Sequence, residues 1–418
     1  MTQASPVIVA TYAEIALKGR NRTVFLRKLL NNIRTMLKNE PLGEIRHVES
    51  RLLIEVADTD AAARVSRRLH DVFGLQWVSP AVPVPRDELD AEIAADQAAG
   101  REPRLTLLCD AACGLARENP GEALSFKVAT RRSDRTFALG SPDINRIVGR
   151  AVHLDTGLPG RMQDPDLKVN VLVMKDQALV FHAKETAHGG LPAGSSGRVM
   201  VLMSGGIDSP VAAWLMMRRG CRPEFVHFFS GRTAAEADTA KIEELVRILA
   251  GYFPRPLALH LVPVVPYEQR AIGAVPDSYD MVMFRRFMFK TAAKLASLNK
   301  CKALVTGDSL GQVASQTIHN LGAIAPDVRM PVLRPLIGMD KIEITAWSRK
   351  VGLFDTSILP YRDCCSIRSP KPVLTARPRD LMNFSRAMDL DAAVREAALA
   401  ATEIRIDGPS HGAETRPD

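Results

Sequence analysis

The sequence predicts an α/β protein, with an α+β N-terminal half followed by a doubly wound parallel sheet. Three observations carry this prediction. From residue 199 onward short apolar runs alternate with helix-like segments, the order that builds an open parallel sheet with helices on both faces. The run Val199-Met-Val-Leu-Met lacks the polar alternation of a half-buried strand, and it runs through Ser204-Gly205-Gly206-Ile207-Asp208-Ser209-Pro210 into a helix. Residues 1–80 read strand, helix, strand, helix, strand, the split βαβ order of a small ferredoxin-like unit.

Bulk properties fit a cytoplasmic globular protein of two or three domains. At 418 residues the chain exceeds one ordinary domain, and 46% hydrophobic content supports packed cores. No apolar run approaches the ~18 residues of a membrane span, and the first residues lack the basic and apolar regions of a signal peptide. None of the six cysteines falls in a CxxC pair, so reduced thiols are expected. A net charge of +8 leans towards a polyanionic partner.

Four segments are expected: 1–80, 81–190, 191–376, and a C-terminal extension 377–418 that is in part a mobile tail. In the first, Val7-Ile-Val-Ala is a strand. Arg22 to Leu37 is a helix with Phe25, Leu29, Ile33 and Met36 on one face, and Leu52 to Val56 is a second strand. A helix over Ala61 to Phe73 stops at Gly74. The second segment follows a proline-rich hinge at Pro80, Pro83 and Pro85. It carries helices over 87–100, 105–117 and 142–156, and strands over 124–129, 167–174 and 178–183. The stretch 87–103 has no explanation at this level. A glycine-rich linker, 189–197, leads to the third segment. There strands over 224–229, 257–265 and 303–306 alternate with helices over 239–253, 280–298, 310–321 and 341–351.

The loop 204–209 is the strongest chemical signal. A strand, a glycine turn and a helix N-terminus aim free N–H groups and the positive end of the helix dipole at one spot, which suits phosphate. Gly205 and Gly206 would let backbone approach it, Ser204 and Ser209 add donors, and Asp208 suits Mg2+ held against phosphate oxygens. Neither a Walker A loop nor a dinucleotide GxGxxG is present. SGGxDS resembles the pyrophosphate loop (PP-loop) of the ATP pyrophosphatase superfamily, which splits ATP to AMP and pyrophosphate while adenylating a substrate.

The N-terminal half is basic. Lys18, Arg20, Arg22, Arg27, Lys28, Arg34 and Lys38 lie in an acid-free stretch, and Lys127, Arg131, Arg132, Arg135, Arg146 and Arg150 form a second set. Such clusters suit nucleic-acid phosphates, with a solvated helix face as the alternative.

Several further motifs, in order, resemble the tRNA 4-thiouridine synthase family over roughly residues 7–375. They are Ala13-Glu-Ile-Ala-Leu-Lys-Gly-Arg-Asn-Arg22, Ser125-Phe-Lys-Val-Ala-Thr-Arg-Arg-Ser-Asp-Arg-Thr-Phe137, Ser141-Pro-Asp-Ile-Asn-Arg146, Gly190-Leu-Pro-Ala-Gly-Ser-Ser-Gly197, Thr306-Gly-Asp-Ser-Leu-Gly-Gln-Val-Ala-Ser-Gln-Thr317 and Leu333-Arg-Pro-Leu-Ile337. The resemblance implies a ferredoxin-like unit, then a THUMP RNA-binding domain, then a PP-loop domain. It implies an ATP site at Leu202, Met203, Ser204, Gly205, Gly206, Asp208, Ser209, His227, Phe228, Arg285, Gly307 and Gln316. Core packing is the alternative for His227 and Phe228, and Arg286 the alternative for Arg285. Lys18, Arg20, Arg22, Lys127, Arg131, Arg132 and Arg135 are the implied RNA contacts.

Cys364, Asp208 and Lys341 are the implied catalytic residues. Cys364 carries the sulfur, with its neighbour Cys365 as the residue open to confusion with it, and Lys341 offsets phosphate charge. Cys221 and Cys301 read as core thiols. Cys109 and Cys113, at i and i+4, suit core packing better than a metal. The implied reaction is ATP-dependent adenylation of a tRNA uridine at C4, then transfer of persulfide sulfur, giving 4-thiouridine at position eight. ATP and Mg2+ are the expected cofactors. The partners are tRNA and a cysteine desulfurase or other persulfide donor, with no membrane, and a homodimer is left open. Many members carry a C-terminal rhodanese-like domain with a second cysteine. No cysteine follows Lys371 here, so the form without that domain is expected, and a thiamine-thiazole role is left open. The competing expectations are another PP-loop enzyme, acting on a different tRNA base or a small molecule, and a non-catalytic tRNA-binding protein.

Overall fold

A computed structural model of the chain describes residues 6–118, 123–182, 184–231, 233, 238–361, 364 and 372–409. The chain forms two compact units, Met1–Gly190 and Leu191–Asp418.

The first unit begins β1 (Val7–Thr11), α1 (Arg22–Met36), β2 (Leu42–Val48), β3 (Arg51–Val56), α2 (Thr59–Leu69) and β4 (Trp77–Pro85). Strand β2 is the element the sequence reading omits. It is an edge strand with no buried residue, so it lacks the apolar signature. The α1 stripe buries Leu29 and Ile33, and Asp58 caps α2 by accepting from Ala61 N at 2.7 Å.

The proline-rich stretch is a strand, not a hinge. β4 pairs with β1 along 77–81 and with β7 (Gln177–Phe181) along 82–85. From residue 79 onward only one edge is paired at a time, so prolines without an N–H are accommodated. α3 (Arg86–Ala98), α4 (Thr106–Glu118), β5 (Phe126–Arg132), α5 (Ser141–Thr156), β6 (Leu167–Val173), β7 and β8 (Glu185–Thr186) complete the unit. Its sheet runs β2-β3-β1-β4-β7-β6-β5, with β8 beside β4. The stretch 87–103 is α3 and its exit turn. Fully buried Asp96 holds them together by accepting from Arg104 N and Nε, at 3.1 Å each.

The second unit runs β9 (Arg198–Leu202), α6 (Asp208–Arg218), β10 (Arg222–Phe229), α7 (Ala240–Ala250), β11 (Leu257–Pro263), α8 (Val265–Ala271), α9 (Asp277–Leu298), β12 (Leu304–Val305), α10 (Ile318–Ile324), β13 (Val332–Leu333), α11 (Lys341–Lys350), α12 (Phe354–Ser357), α13 (Pro378–Ala387), α14 (Leu390–Leu399) and β14 (Thr402–Ile406). The sheet order is β13-β12-β9-β10-β11-β14, parallel except for β14, which pairs antiparallel with β11. Its core is aromatic: Tyr267, Phe284, Phe287 and Phe289 are buried together between α8, α9 and the sheet.

Residues 378–406 of the expected extension therefore form two helices and an edge strand; residues 410–418 lie outside the described residues. The stretch 189–197 is bound to its surroundings, with Leu191 N donating to Arg218 O and Ser196 N to Gly220 O. The expected helix over 310–321 is broken. Gly311 takes φ +76° and Val313 is extended, so a 3-10 turn at Ala314–Gln316 precedes α10.

Candidate functional site

The parallel order changes direction beside β9, since the chain goes first to β10 and β11 and later returns to β12 on the other side. The strand ends at such a switch point leave a crevice. Here it is a cavity of about 560 Å3 lined from three strand ends, from α9 and from the turn before α10. Leu202, Met203, Ser204, Asp208, Ser209, His227, Phe228, Arg285, Gly307, Gln316 and Cys364 all line it. A wider groove of about 840 Å3 passes Arg247, Arg405 and Asp407, but no expected site residue lines it.

The loop folds on itself through its serines. Ser204 N donates to Ser209 Oγ at 2.9 Å, and the two hydroxyls lie 3.0 Å apart. Asp208 opens α6, and both its oxygens are engaged. Lys341 Nζ donates to Oδ1 at 2.6 Å and Gln312 Nε2 to Oδ2 at 2.9 Å. Lys341 is itself the first residue of α11, where Asp340 forms a capping box with Glu343, so its backbone is fixed locally. A Cβ on Gly307 would lie 2.7 Å from Ser209 N, so that glycine brings the end of β12 against the start of α6.

A second carboxylate, Asp308, is buried on the cavity wall. It accepts from Arg285 Nη2 (2.6 Å), Thr306 Oγ1 (2.7 Å), Arg334 Nε (3.2 Å) and Gln316 Nε2 (3.4 Å). Burial pushes the Asp308 carboxyl up. The Arg285 charge, the hydrogen bonds from Thr306 and Arg285, and Arg334 outweigh that and hold it below the usual carboxylate range. Arg285 therefore lines the cavity already paired, and also donates to Ser315 O. Arg286 takes a different role: it donates to Ala323 O and Asp327 and does not line the cavity.

His227 spans two elements. Its Nδ1 is 2.9 Å from Met203 O and its Nε2 2.8 Å from Tyr361 Oη. The Cys364 thiol donates to Phe228 O at 3.0 Å. Cys365 lies outside the described residues. Cys221 and Cys301 are buried off the cavity, and burial pushes the Cys301 thiol up to about 12. Cys109 and Cys113 are likewise pushed up by burial, and no cluster of three or more His, Cys, Asp or Glu suited to a metal occurs among the described residues.

The cations expected to meet RNA lie in the first unit and differ in their engagement. Arg22 donates to Tyr12 Oη and Ser50 Oγ, and Arg132 to the carbonyls of Phe137 and Leu139. Lys127 donates to Met162 O, Lys18 lies over the Phe25 ring, and Arg146 pairs with Glu102. Arg20 is exposed, as is Arg135. Arg131 shares its surroundings with Arg51, Lys168 and Lys184. Burial, then Lys168, Arg131 and Arg51, holds the Lys184 ammonium below its ordinary value.

Sequence reasoning missed Asp308, Gln312, Ser315 and Tyr361. Asp308 had a signal, because a carboxylate directly follows the strand-end glycine in Thr306-Gly-Asp-Ser. Gln312 and Tyr361 had none, since their partners are brought to them only by the fold.

Residues 194–390 match the family described as Thiamine biosynthesis protein (ThiI), residues 7–79 the ThiI ferredoxin-like domain, and residues 108–183 the THUMP domain. A probable tRNA sulfurtransferase of Brevibacillus brevis is 35% identical over 402 residues, covering 95% of each chain. Another, from Geobacillus kaustophilus, is 35% identical over 401 residues, 96% of this chain and 95% of the relative. A crystal structure of a 4-thiouridine synthetase–RNA complex with bound ATP superposes with a TM-score of 0.85 at 30% identity, over 97% of this chain and 100% of that one. Among the described residues no helix is long and apolar enough to cross a membrane.

Proposed function

The chain belongs to the tRNA sulfurtransferase family, and from that premise we propose that it makes 4-thiouridine at position eight of tRNA by adenylating a uridine and transferring sulfur from Cys364. The observation that carries this reading is that Ser204, Asp208 and Ser209 of the loop line one cavity with Cys364, while Lys341 binds Asp208.

ATP occupies the cavity, with its phosphates on Ser204, Gly205, Gly206 and Ser209 and its nucleoside between His227, Phe228, Arg285, Gly307 and Gln316. Asp208 retains lone pairs beside Lys341 and Gln312, so it is the residue that would hold a Mg2+ arriving with ATP. Such an ion would supply charge neutralisation for the departing pyrophosphate. Lys341 supplies a second positive charge at the same place.

The uridine C4 oxygen attacks the α-phosphorus, pyrophosphate leaves, and C4 then carries AMP as a good leaving group. The terminal sulfur of a persulfide on Cys364 attacks C4, and AMP departs with the former C4 oxygen. A second thiolate attacks Cys364 Sγ, forming a disulfide there and leaving the outer sulfur on the base. A dithiol reductant restores the cysteine. The persulfide comes from a cysteine desulfurase or another carrier.

The first unit holds the RNA. Lys18, Arg20, Lys127, Arg131 and Arg135 contact phosphates, joined by Arg51, Lys168 and Lys184 around Arg131. Arg22 and Arg132 shape that surface rather than reach out from it. The target base must leave its stack to enter the cavity.

The deciding experiment is nucleoside mass spectrometry of tRNA incubated with the protein, ATP, Mg2+ and a persulfide-generating desulfurase, with Cys364→Ala alongside. Product from the parent and none from the variant is expected. Unchanged tRNA with ATP still split to AMP and pyrophosphate would keep the nucleotide site and discard the substrate.

A further inference from the structure

We propose that Tyr361 is a positioning residue that seats the cysteine-bearing segment on the end of β10 and thereby couples sulfur transfer to adenylation. This rests on the reading of Cys364 given above. Three contacts of this side chain carry the inference.

The first is the hydrogen-bond order at His227. A carbonyl only accepts, so the bond to Met203 O requires the proton on Nδ1. In the neutral ring Nε2 is then an acceptor, and Tyr361 Oη donates to it. The tautomer is thus fixed from the β9 side, and the tyrosine is the group that satisfies the other nitrogen of a histidine only 2% exposed.

The second is the ring itself. A Cβ built on Gly205 would lie 2.4 Å from Tyr361 Cδ1 and 2.9 Å from Cγ, so the ring rests on the first glycine of the loop. Gly205 is constrained by this neighbour as well as by any phosphate.

The third is register. Tyr361 binds the side chain of His227, and Cys364, three residues later, donates its thiol to the carbonyl of the next residue, Phe228. On the other side Lys241 Nζ donates to Ser357 O (2.9 Å) and Leu359 O (2.6 Å) and lies 5.6 Å from the Tyr361 ring centroid. Ser357, Leu359, Tyr361 and Cys364 are thus each anchored, and Tyr361 touches both the loop and β10. A sulfur atom that must meet C4 of an adenylated base needs this seating, whereas the attack on the α-phosphorus involves no atom of Cys364.

The test compares the parent with Tyr361→Phe, which removes only the hydroxyl, and Tyr361→Ala, which also vacates the space over Gly205. Two quantities are read: 4-thiouridine formed per pyrophosphate released in the presence of tRNA, and the rate at which iodoacetamide alkylates Cys364, located by peptide mass spectrometry. Tyr361→Phe is expected to lower the product ratio about fivefold and speed alkylation by a similar factor, the scale of one hydrogen bond to a buried acceptor. Tyr361→Ala is expected to do more of both. If pyrophosphate release and 4-thiouridine fall together and Cys364 alkylates at the parent rate, Tyr361 acts on the nucleotide site and the proposal is overturned; an unchanged ratio with unchanged alkylation overturns it equally. A parent that makes no 4-thiouridine sinks the proposed reaction instead, and the alkylation rates still decide the seating.

Discussion

Lys341 Nζ lies 2.6 Å from Asp208 Oδ1 across 133 residues of chain, and each residue opens its own helix. Two helix N-termini thus meet at one ion pair, with Gln312 on the other carboxylate oxygen. The Lys341 side chain is 48% exposed, so the pair adds at most about 1 kcal/mol to stability. In the proposed reaction its charge serves the departing pyrophosphate. Lys341→Ala is expected to slow tRNA-dependent pyrophosphate release by roughly 100-fold with little change in melting temperature. A variant that melts well below the parent and loses activity only in proportion to unfolding would return Lys341 to a structural role.

Among the described residues Cys364 is the cysteine that lines the cavity, and its neighbour Cys365 lies outside them. Cys364→Ala should reduce 4-thiouridine on the order of 1000-fold while pyrophosphate release continues. Cys221→Ala and Cys301→Ala should leave product formation near the parent level. Loss of product in Cys365→Ala with activity retained in Cys364→Ala would reverse the assignment.

Most of the architecture was legible because each parallel strand is a continuous apolar run, and the Ser204–Ser209 loop announces its own chemistry. Two failures in the first unit share one cause. β2 sits at a sheet edge and buries nothing, while β4 carries prolines because its pairing changes sides along its length. Both facts belong to the neighbours, not to the strand. The cavity shows the same limit. Ser204, Asp208 and Cys364 could be named from local motifs, whereas Tyr361 and Gln312 acquire meaning only when the fold delivers His227 and Asp208 to them. Arg22 and Arg132 are the converse, since basic sequence alone cannot show that their guanidinium groups are turned inward.

Asp308 is 3% exposed and gathers Arg285, Arg334, Thr306 and Gln316. Asp308→Asn leaves two arginines facing a neutral amide and should destabilise the second unit by about 3–5 kcal/mol, read as a lower urea midpoint. The pH dependence follows from the depressed carboxyl. Its stabilisation is fully present above the unfolded value near pH 4 and is lost as pH falls from there towards the lower folded value, because the unfolded chain binds the proton first. The gap between parent and variant midpoints should therefore be widest at neutral pH and narrow below about pH 4. A gap that widens on acidification would contradict the burial network.

Gly307 packs backbone against backbone. A Cβ there would meet Ser209 N at 2.7 Å, Asp208 C at 2.8 Å and Ser209 Cα at 2.9 Å, none of which is the tip of a flexible side chain. Its φ is not in the left-handed region, so the cost of Gly307→Ala is steric, about 1–3 kcal/mol. The only relief is to part the end of β12 from the first turn of α6, which moves Asp208 away from Lys341 and Gln312. Activity should therefore fall further than stability alone explains, by about tenfold in pyrophosphate release measured below the melting range. Gly322→Ala is the contrasting change. That glycine lies inside α10 with nothing within 4 Å of the added Cβ, so it should stabilise the unit by roughly 0.5–1 kcal/mol and leave activity alone. Equal effects from both substitutions would mean that the contact between β12 and α6 does not set the geometry of Asp208.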